Sequence, residues 1–254
     1  MDKEPISFPK VGVISGRYPA SDFKSYINHR AYCSRHGYTY IYCNWPTGQK
    51  NRYLNKLEYL KEYIGLFDFV FWIDDDAFFI DLDVPLSKFL PRSNEFFSVC
   101  SSPTNRKIHT YISSGQLFLR CDATSKDFID EVLSCDLDAV RKWWPSEMGF
   151  FTNGDQDSMI YLLHTDARFL NYSRYSFDAF NSRVEDLLNG DEVFVLHFTG
   201  SVRTKRKKLR LARRHLKRGP TLLTSGEEHK WNLLPKWRFL AQKVRHIMPK
   251  LSKF

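Results

Sequence analysis

Three consecutive aspartates, Asp74, Asp75 and Asp76, directly follow the apolar, aromatic segment 67–73 (FDFVFWI). Carboxylates at the end of a buried strand are costly unless water or a cation solvates them. Alternate residues of an extended chain point to one side, so Asp74 and Asp76 can face one ion while Asp75 points elsewhere. Such oxygen ligands suit Mg²⁺ or Mn²⁺, and these cations suit a diphosphate. A solvated acidic turn or a helix N-cap is the alternative interpretation.

The elements around these aspartates alternate between strand and helix. Apolar runs predict strands at residues 10–15, 38–42, 67–73, 96–100, 115–119 and 192–197. Helical spacing predicts helices at residues 22–35, 55–64, 125–133 and 155–164, with Asp22 capping the first and Gly37 ending it. The opening β-α-β-α-β order implies an α/β protein with a parallel sheet and right-handed crossovers. The aspartates then lie at the carboxyl edge, where open α/β sheets bind ligands.

Composition restricts the class of protein. The 254 residues are 43% hydrophobic, which suits one sizeable packed domain with an appendage. The five cysteines show no C-x-x-C pair and are expected to be reduced thiols. No apolar run reaches 18 residues and the N-terminus does not resemble a secretory signal, so we expect a cytoplasmic protein.

Charge divides the chain at residue 200. Residues 201–254 contain 17 Lys and Arg against two Glu, whereas residues 1–200 contain 21 basic and 27 acidic residues. We therefore expect a catalytic domain over residues 1–200 and a basic tail over residues 201–254. Trp237, Leu240, Val244, Ile247 and Leu251 predict that the tail ends in a basic amphipathic helix. Such a helix indicates that the protein docks peripherally on the anionic inner face of a membrane. Packing of the tail on the body and binding of nucleic acid are the less favoured alternatives.

Six short motifs give the chain a family resemblance. The segment 71–77 (FWIDDDA) resembles the D-x-D signature of GT-A glycosyltransferases. In particular, the chain resembles the family of galactomannan α-galactosyltransferases, α-mannan polymerase subunits and xyloglucan xylosyltransferases. The other matching motifs, in the order of the family, are residues 28–32 (NHRAY) with 36–38 (HGY), 55–57 (NKL), 113–120 (SSGQLFLR), 155–157 (DQD) and 197–200 (HFTG). Ser113 stands where the family has Asn, and Asp155 where it has Glu.

The resemblance implies a GT-A, Rossmann-like fold with a mixed, mostly parallel sheet flanked by helices. It implies that Asp76 and His197 ligate Mn²⁺ or Mg²⁺, and that Asp74 completes the metal site or holds the donor ribose. A core histidine at a strand end is the alternative for His197. Positive charge near the diphosphate is expected from Lys56 and from a basic residue within 203–206, although a solvated helix face or a docking patch would also explain these residues.

Further residues are expected around the donor and the reacting sugar. Gly12, Ser15 and Arg17 follow the first strand, where a nucleotide would lie, although a plain turn explains them almost as well and G-x-G-x-x-G is absent. The matched motifs add Gly115 and Gly200 to the donor-binding positions. Asp155 and Asp157 are the candidate catalytic carboxylates, and a carboxylate near the anomeric carbon stabilises positive charge there. We expect Asp157 to be the stronger candidate, because Asp155 is placed to cap its own helix.

The predicted function is transfer of a hexose from a nucleoside-diphosphate sugar to a hydroxyl of a glycan or lipid-linked saccharide, such as a lipopolysaccharide. The family relation implies retention of configuration, with UDP-galactose as the leading donor. A sugar nucleotidyltransferase is one alternative, but residues 15–21 (SGRYPAS) make a poor nucleotide-binding loop. A nucleic-acid-binding module is the other. The acidic body and the lack of a base-reading element argue against it, so no nucleic-acid partner is expected.

Overall fold

The structure is a computed structural model that describes residues 9–103 and 109–227. Its strands are β1 (Val11–Gly16), β2 (Thr39–Cys43), β3 (Phe69–Ile73), β4 (Ala77–Phe79), β5 (Phe97–Cys100), β6 (Ser113–Arg120), β7 (Tyr172–Tyr175) and β8 (Val195–His197). Its α-helices are α1 (Ser25–His36), α2 (Asn55–Tyr63), α3 (Ala123–Ser134), α4 (Leu137–Trp143), α5 (Asp155–Thr165), α6 (Val184–Asn189) and α7 (Val202–Leu216). Within these ranges no helix is both long and apolar enough to cross a membrane.

Six strands form the central sheet in the order β2-β1-β3-β6-β5-β7. The pairs β1–β2, β1–β3 and β5–β7 are parallel, whereas β6 is antiparallel to both of its neighbours. The prediction of a mixed, mostly parallel sheet flanked by helices is therefore confirmed. The parallel order places the ends of β1 and β3 at one edge, where a ligand site is expected.

Apolar side chains cover both faces of the sheet. On one face, Trp72 and Leu117 pack against α2, α3 and α5 through residues such as Leu60 and Phe128. On the other face, Phe71 and other buried residues of the sheet pack against α1, β4 and β8. Burial on both faces explains why β3 reads as an uninterrupted apolar run in the sequence.

Strands β4 and β8 form a separate antiparallel ribbon that folds over the carboxyl end of β3. The register pairs Ala77 with His197 and Phe79 with Val195. The amide of Phe198 donates to the carbonyl of Asp76 at 3.0 Å, which extends the contact by one residue. Residues about 120 positions apart in the sequence are thereby brought side by side.

Each of the predicted strands and helices is present in the structure, with shifts at the ends. α1 begins at Ser25 after Lys24 without a side-chain cap, so the prediction that Asp22 caps this helix is wrong. Gly37 does end α1, with a left-handed φ of 71°. All five cysteines are free, as predicted. The elements that we did not predict are the short strands β4 and β7 and the helices α4, α6 and α7.

The helix α7 carries eight of the 17 Lys and Arg residues that we assigned to a tail. Ala212 is fully buried, and Leu209 and Leu216 pack against a core that includes Phe78 and Leu196. This part of the expected tail therefore lies on the catalytic body. Its basic residues that are exposed to solvent are Arg203, Arg206, Lys207, Arg210, Arg214 and Lys217. The amphipathic helix predicted around residues 237–251 lies outside the described residues.

Candidate active site

The turn between β3 and β4 presents the two outer aspartates of the triplet to one point. The amide of Asp74 donates to the carbonyl of Gly115 at 2.8 Å, and the amide of Ala77 donates to the carbonyl of Asp74 at 3.0 Å. Because His197 lies opposite Ala77 in the ribbon, its ring also reaches this point. One ligand atom from each of Asp74, Asp76 and His197 lies within 4.8 Å of the other two.

The imidazole of His197 lies close to both carboxylates of the cluster. His197 Nε2 lies 3.2 Å from Asp76 Oδ1 and 3.8 Å from Asp74 Oδ2. Asp76 and His197 are buried, whereas Asp74 is partly exposed. Two carboxylate oxygens and an imidazole nitrogen at this spacing form a donor set that suits Mn²⁺ or Mg²⁺.

A pocket of about 290 Å³ opens over the cluster. Of the residues expected to bind the donor or the metal, Arg17, Lys56, Asp74, Asp76 and Gly200 line it. Asp75, which we expected to point elsewhere, also lines the pocket. Burial, followed by repulsion from Asp76, raises the pKa of Asp75 to about 7.

The helix α7 brings a lysine into the pocket. Lys205 Nζ forms an ion pair with Asp76 Oδ2, and residue 205 lies in the range where we expected a basic side chain. Burial acts to raise the pKa of Asp76, but His197 and Lys205 outweigh it and hold that pKa below its ordinary value. Asp76 is therefore a carboxylate and is available to a cation.

Lys56 connects the metal cluster to the start of α5. Its Nζ lies 3.0 Å from Asp155 Oδ2 and 3.7 Å from Asp74 Oδ1, and it donates to the carbonyl of Ser114 at 2.9 Å. Burial acts to lower the pKa of Lys56, but Asp155 and Asp74 outweigh it and raise that pKa. A buried, charged ammonium thus bridges the two carboxylates. The indole of Trp72 donates to Asp74 Oδ1 at 2.7 Å and orients it.

The structure reverses our expectation for the two aspartates of α5. Asp157, not Asp155, caps the helix, because its Oδ2 accepts from the amides of Asn153 at 2.5 Å and Gly154 at 3.3 Å. Asp157 is fully buried and also accepts from Thr152 Oγ1 at 3.0 Å. Its carboxylate is thus occupied by the loop before α5, and Asp155 becomes the better catalytic candidate.

The glycines and Ser15 divide between the pocket and the core. A Cβ on Gly115 would lie 2.4 Å from His197 Cε1, so the ring can approach β6 only over a glycine. Gly200 has a φ of 106°, a value that favours glycine where the chain turns into α7. Gly12 instead contacts the ring of Phe67, and a Cβ there would lie 2.7 Å from it. Ser15 is fully buried, and neither Gly12 nor Ser15 belongs to the pocket lining.

One contact of the cluster was not anticipated from the sequence. His197 Nδ1 lies 3.0 Å from the side-chain oxygen of Asn181, which is itself fully buried. Asn181 follows a 3₁₀ turn and belongs to no periodic pattern, so no sequence signal singles it out. Only the bridge between Ser182 and Leu196 of β8 places it beside the histidine.

Comparison with known proteins supports the class of enzyme. A model of the galactosyl transferase GMA12/MNN10 family matches residues 19–96, which is 78 of the 254 residues. The matched range contains α1, β2, α2 and the D-x-D segment, but not His197. Comparison with curated protein sequences gave no match.

Two solved glycosyltransferases share the fold. One is involved in the glycosylation of the major capsid of PBCV-1; it is 16% identical, with a TM-score of 0.60 over 78% of this chain and 99% of that chain. The other is GlyE of Streptococcus pneumoniae TIGR4, 13% identical, with a TM-score of 0.52 over 89% of this chain and 64% of that chain. This chain therefore spans slightly less than two thirds of GlyE.

The chain has the GT-A fold of nucleotide-sugar glycosyltransferases. The partial family match and the shared fold together support a glycosyltransferase. The clustered Asp74, Asp76 and His197 are compatible with a divalent metal.

Proposed function

We propose that the protein is a metal-dependent glycosyltransferase that moves a hexose from a nucleoside-diphosphate sugar to a hydroxyl of a glycan or lipid-linked saccharide. The observation that carries this proposal is the convergence of Asp74, Asp76 and His197 beneath a pocket in a GT-A fold. By the family resemblance, the donor is UDP-galactose and the anomeric configuration is retained. Xylose, glucose and GDP-mannose are the next donors to test.

The residues present fit a divalent cation. Asp76 Oδ1 is buried and has no hydrogen-bond donor among the residues that the structure describes. A buried carboxylate oxygen in that state requires a positively charged partner. Asp74, Asp76 and His197 would hold Mn²⁺ or Mg²⁺. When bound, the cation supplies positive charge that stabilises the departing nucleoside diphosphate.

Other side chains in and near the pocket have separate roles in this proposal. Lys205 lies at the wall of the pocket and contributes positive charge where a diphosphate would lie beside Asp76. Lys56 Nζ lies 3.0 Å from Asp155 Oδ2 and holds that carboxylate near the cluster. Asp155 thereby contributes negative charge on the side of the pocket facing α5, which stabilises positive charge that develops on the reacting sugar. Arg17 lines the same pocket at the end of β1, where the nucleotide is expected.

The proposed activity is tested by a screen of donor hydrolysis and transfer over UDP-galactose, UDP-xylose, UDP-glucose and GDP-mannose. Each donor is assayed with Mn²⁺ and with EDTA, and the release of nucleoside diphosphate is measured. We expect at least one donor to be turned over in a metal-dependent manner. Release of pyrophosphate from a sugar phosphate and a nucleoside triphosphate, without any transfer, would instead identify a nucleotidyltransferase.

The exposed basic face of α7 supports a second part of the proposal, which concerns location. Arg203, Lys207, Arg210 and Arg214 are spaced along one side of the helix, and the pocket includes the first turn of the same helix. We propose that this face binds the anionic inner surface of the cytoplasmic membrane. Docking there would hold the pocket close to a lipid-linked acceptor.

Vesicle sedimentation tests this membrane contact. Each basic residue near an anionic surface contributes on the order of 1 kcal/mol, so changing all four to Gln is expected to weaken binding to phosphatidylserine vesicles about 100-fold or more. A control variant with the same change in net charge alters four exposed lysines elsewhere: Lys50, Lys88, Lys126 and Lys142. Equal binding by both variants would contradict the proposed role of α7.

A further inference from the structure

The two ring nitrogens of His197 face opposite kinds of neighbours. Nε2 points to the carboxylates of Asp76 and Asp74, at 3.2 and 3.8 Å. Nδ1 points away from them to Asn181 Oδ1, at 3.0 Å. A neutral imidazole carries its proton on one nitrogen only, and the other nitrogen is then free to bind a metal. Which ring nitrogen of His197 carries the proton depends on which atom of the Asn181 amide, the oxygen or the nitrogen, faces the ring.

Arg183 sets the orientation of that amide. Its Nη1 donates to Asn181 Oδ1 at 2.7 Å and to the carbonyl of Asn181 at 2.5 Å. Burial lowers the pKa of Arg183 to about 10, with Asp186 acting in the opposite direction, so the guanidinium remains charged at neutral pH. Because a guanidinium can only donate, the amide atom that faces it must be the oxygen. The amide nitrogen accordingly faces an acceptor, the carbonyl of Ser101, at 3.4 Å.

The same oxygen faces His197 and can only accept, so it favours the hydrogen on Nδ1 of a neutral ring. We infer that Arg183 and Asn181 are positioning residues that hold neutral His197 in the Nδ1–H form and so prepare Nε2 as a metal ligand. The identity of the ion rests on the proposed function. The lone pair on Nε2 then points at Asp76 and Asp74, so a cation would be held by all three groups together.

The surrounding backbone leaves the ring little freedom to adopt another orientation. The amide of His197 donates to the carbonyl of Ser182 at 2.9 Å, and the amide of Ser182 donates to the carbonyl of Val195 at 3.0 Å. These bonds fix the segment that carries Asn181 and Arg183 along β8. The absent side chain of Gly115 makes room for the ring on the opposite side. Hydrogen-bonding partners of this kind typically change metal affinity 10- to 100-fold when removed.

The tautomer is measured directly by NMR of the full-length, metal-free protein labelled with ¹⁵N-histidine. The signals of His197 are identified by their loss in His197→Ala. At a pH where the ring is neutral, we expect the Nδ1–H pattern in the wild type and a shift towards Nε2–H in Asn181→Leu. An Nε2–H pattern in the wild type would overturn the inference.

Metal affinity is measured separately, by EPR of free Mn²⁺ in the absence of nucleotide. We expect Asn181→Leu to bind Mn²⁺ about 10- to 100-fold more weakly than the wild type. Asn181→Asp keeps the acceptor and is expected to retain binding. If Asn181 acts through His197, the Leu substitution has no further effect in a His197→Ala background. An undiminished effect in that background would show a general structural role instead.

A matched control is available in another buried asparagine. Asn28 is fully buried and bonds both backbone groups of Phe79, and it is not among the hydrogen-bonding or ion-pair partners of the His197 side chain in the part of the chain that the structure describes. Asn28→Leu should lower stability and leave Mn²⁺ affinity unchanged. If Asn181→Leu does not fold, Arg183→Met tests the same inference, because it removes the donor that orients the Asn181 amide. An unaltered His197 tautomer in Arg183→Met would overturn the inference.

The two proposals fail in different ways. Absence of Mn²⁺ binding by the wild-type protein would refute the metal-dependent function. The tautomer of His197 is observed without metal and decides the role of Asn181 and Arg183 separately.

Discussion

Two segments of the molecule have the same spacing, Asp-x-Asp, and opposite outcomes. Asp74 and Asp76 follow β3 on a chain that is close to extended, and both carboxylates reach the cluster with His197. Asp155 and Asp157 lie in the first turn of α5, where residues two apart point about 200° apart. Asp155 therefore pairs with Lys56 at the site, whereas Asp157 turns back to cap its own helix.

The spacing of two carboxylates therefore does not predict their chemistry until the backbone conformation is known. An extended segment directs both carboxylates of this spacing to one point, whereas a helix directs the same pair to different partners. Four predictions test this difference, beginning with the residue for which we expect the largest effect.

Asp76→Asn should have the largest effect, because it removes a charged ligand from the centre of the extended pair. Loss of several kcal/mol of charge stabilisation corresponds to a fall of about 1000-fold in metal-dependent kcat/KM. The assay is release of nucleoside diphosphate at saturating Mn²⁺, with the circular dichroism spectrum as the check on folding. A folded variant with full activity would refute the assignment of the metal site.

Asp155→Asn should reduce kcat/KM about 100-fold through the loss of a carboxylate next to the reacting sugar. Lys56 keeps its bonds to Ser114 and its proximity to Asp74, so Mn²⁺ affinity should change much less than activity. The two quantities are compared by steady-state kinetics and by EPR. Equal losses in both would place Asp155 in metal binding rather than at the sugar.

His29 supports the backbone immediately after the extended pair and should make stability depend on pH. Its Nε2 bonds the carbonyl of Ala77 at 2.8 Å, and burial lowers its pKa to about 4. Because the unfolded chain takes up the proton near pH 6.5, the contribution of neutral, buried His29 to the free energy of unfolding is fully present above that pH. It falls by about 2 kcal/mol between pH 7 and pH 5. Urea unfolding at both pH values, compared with His29→Gln, measures this term. Identical pH dependence in the two proteins would rule it out.

Asp157→Asn should have the smallest effect, and that effect should be on stability rather than on activity. Replacing a capping carboxylate with a neutral amide is expected to lower the free energy of unfolding by about 1 kcal/mol. The activity of the folded protein should stay within about twofold of the wild type, since Asp157 faces the loop before α5. Urea midpoints and kcat/KM are measured on the same preparation. A large loss of activity without loss of stability would return Asp157 to the catalytic candidates.

Much of the fold was readable in the sequence, since the strands of the parallel half are apolar runs and α1, α2, α3 and α5 have helical periodicity. The elements that were missed have physical reasons. β4 is three residues long and continues an apolar run, and β7 is a partly exposed strand at the edge of the sheet. We did not predict α7, because its basic residues outnumber the few apolar residues through which it packs on the body.

The local pattern of residues indicated the aspartates that we propose as metal ligands, since a buried strand that ends in carboxylates is costly in any fold without a counter-charge. The partners of those aspartates depended on contacts between distant parts of the chain. Pairing of β4 with β8 placed His197, the bridge at Ser182 placed Asn181, and packing of α7 placed Lys205. None of these three contacts follows from neighbouring residues, because the burial of apolar surface between separate elements brings them together.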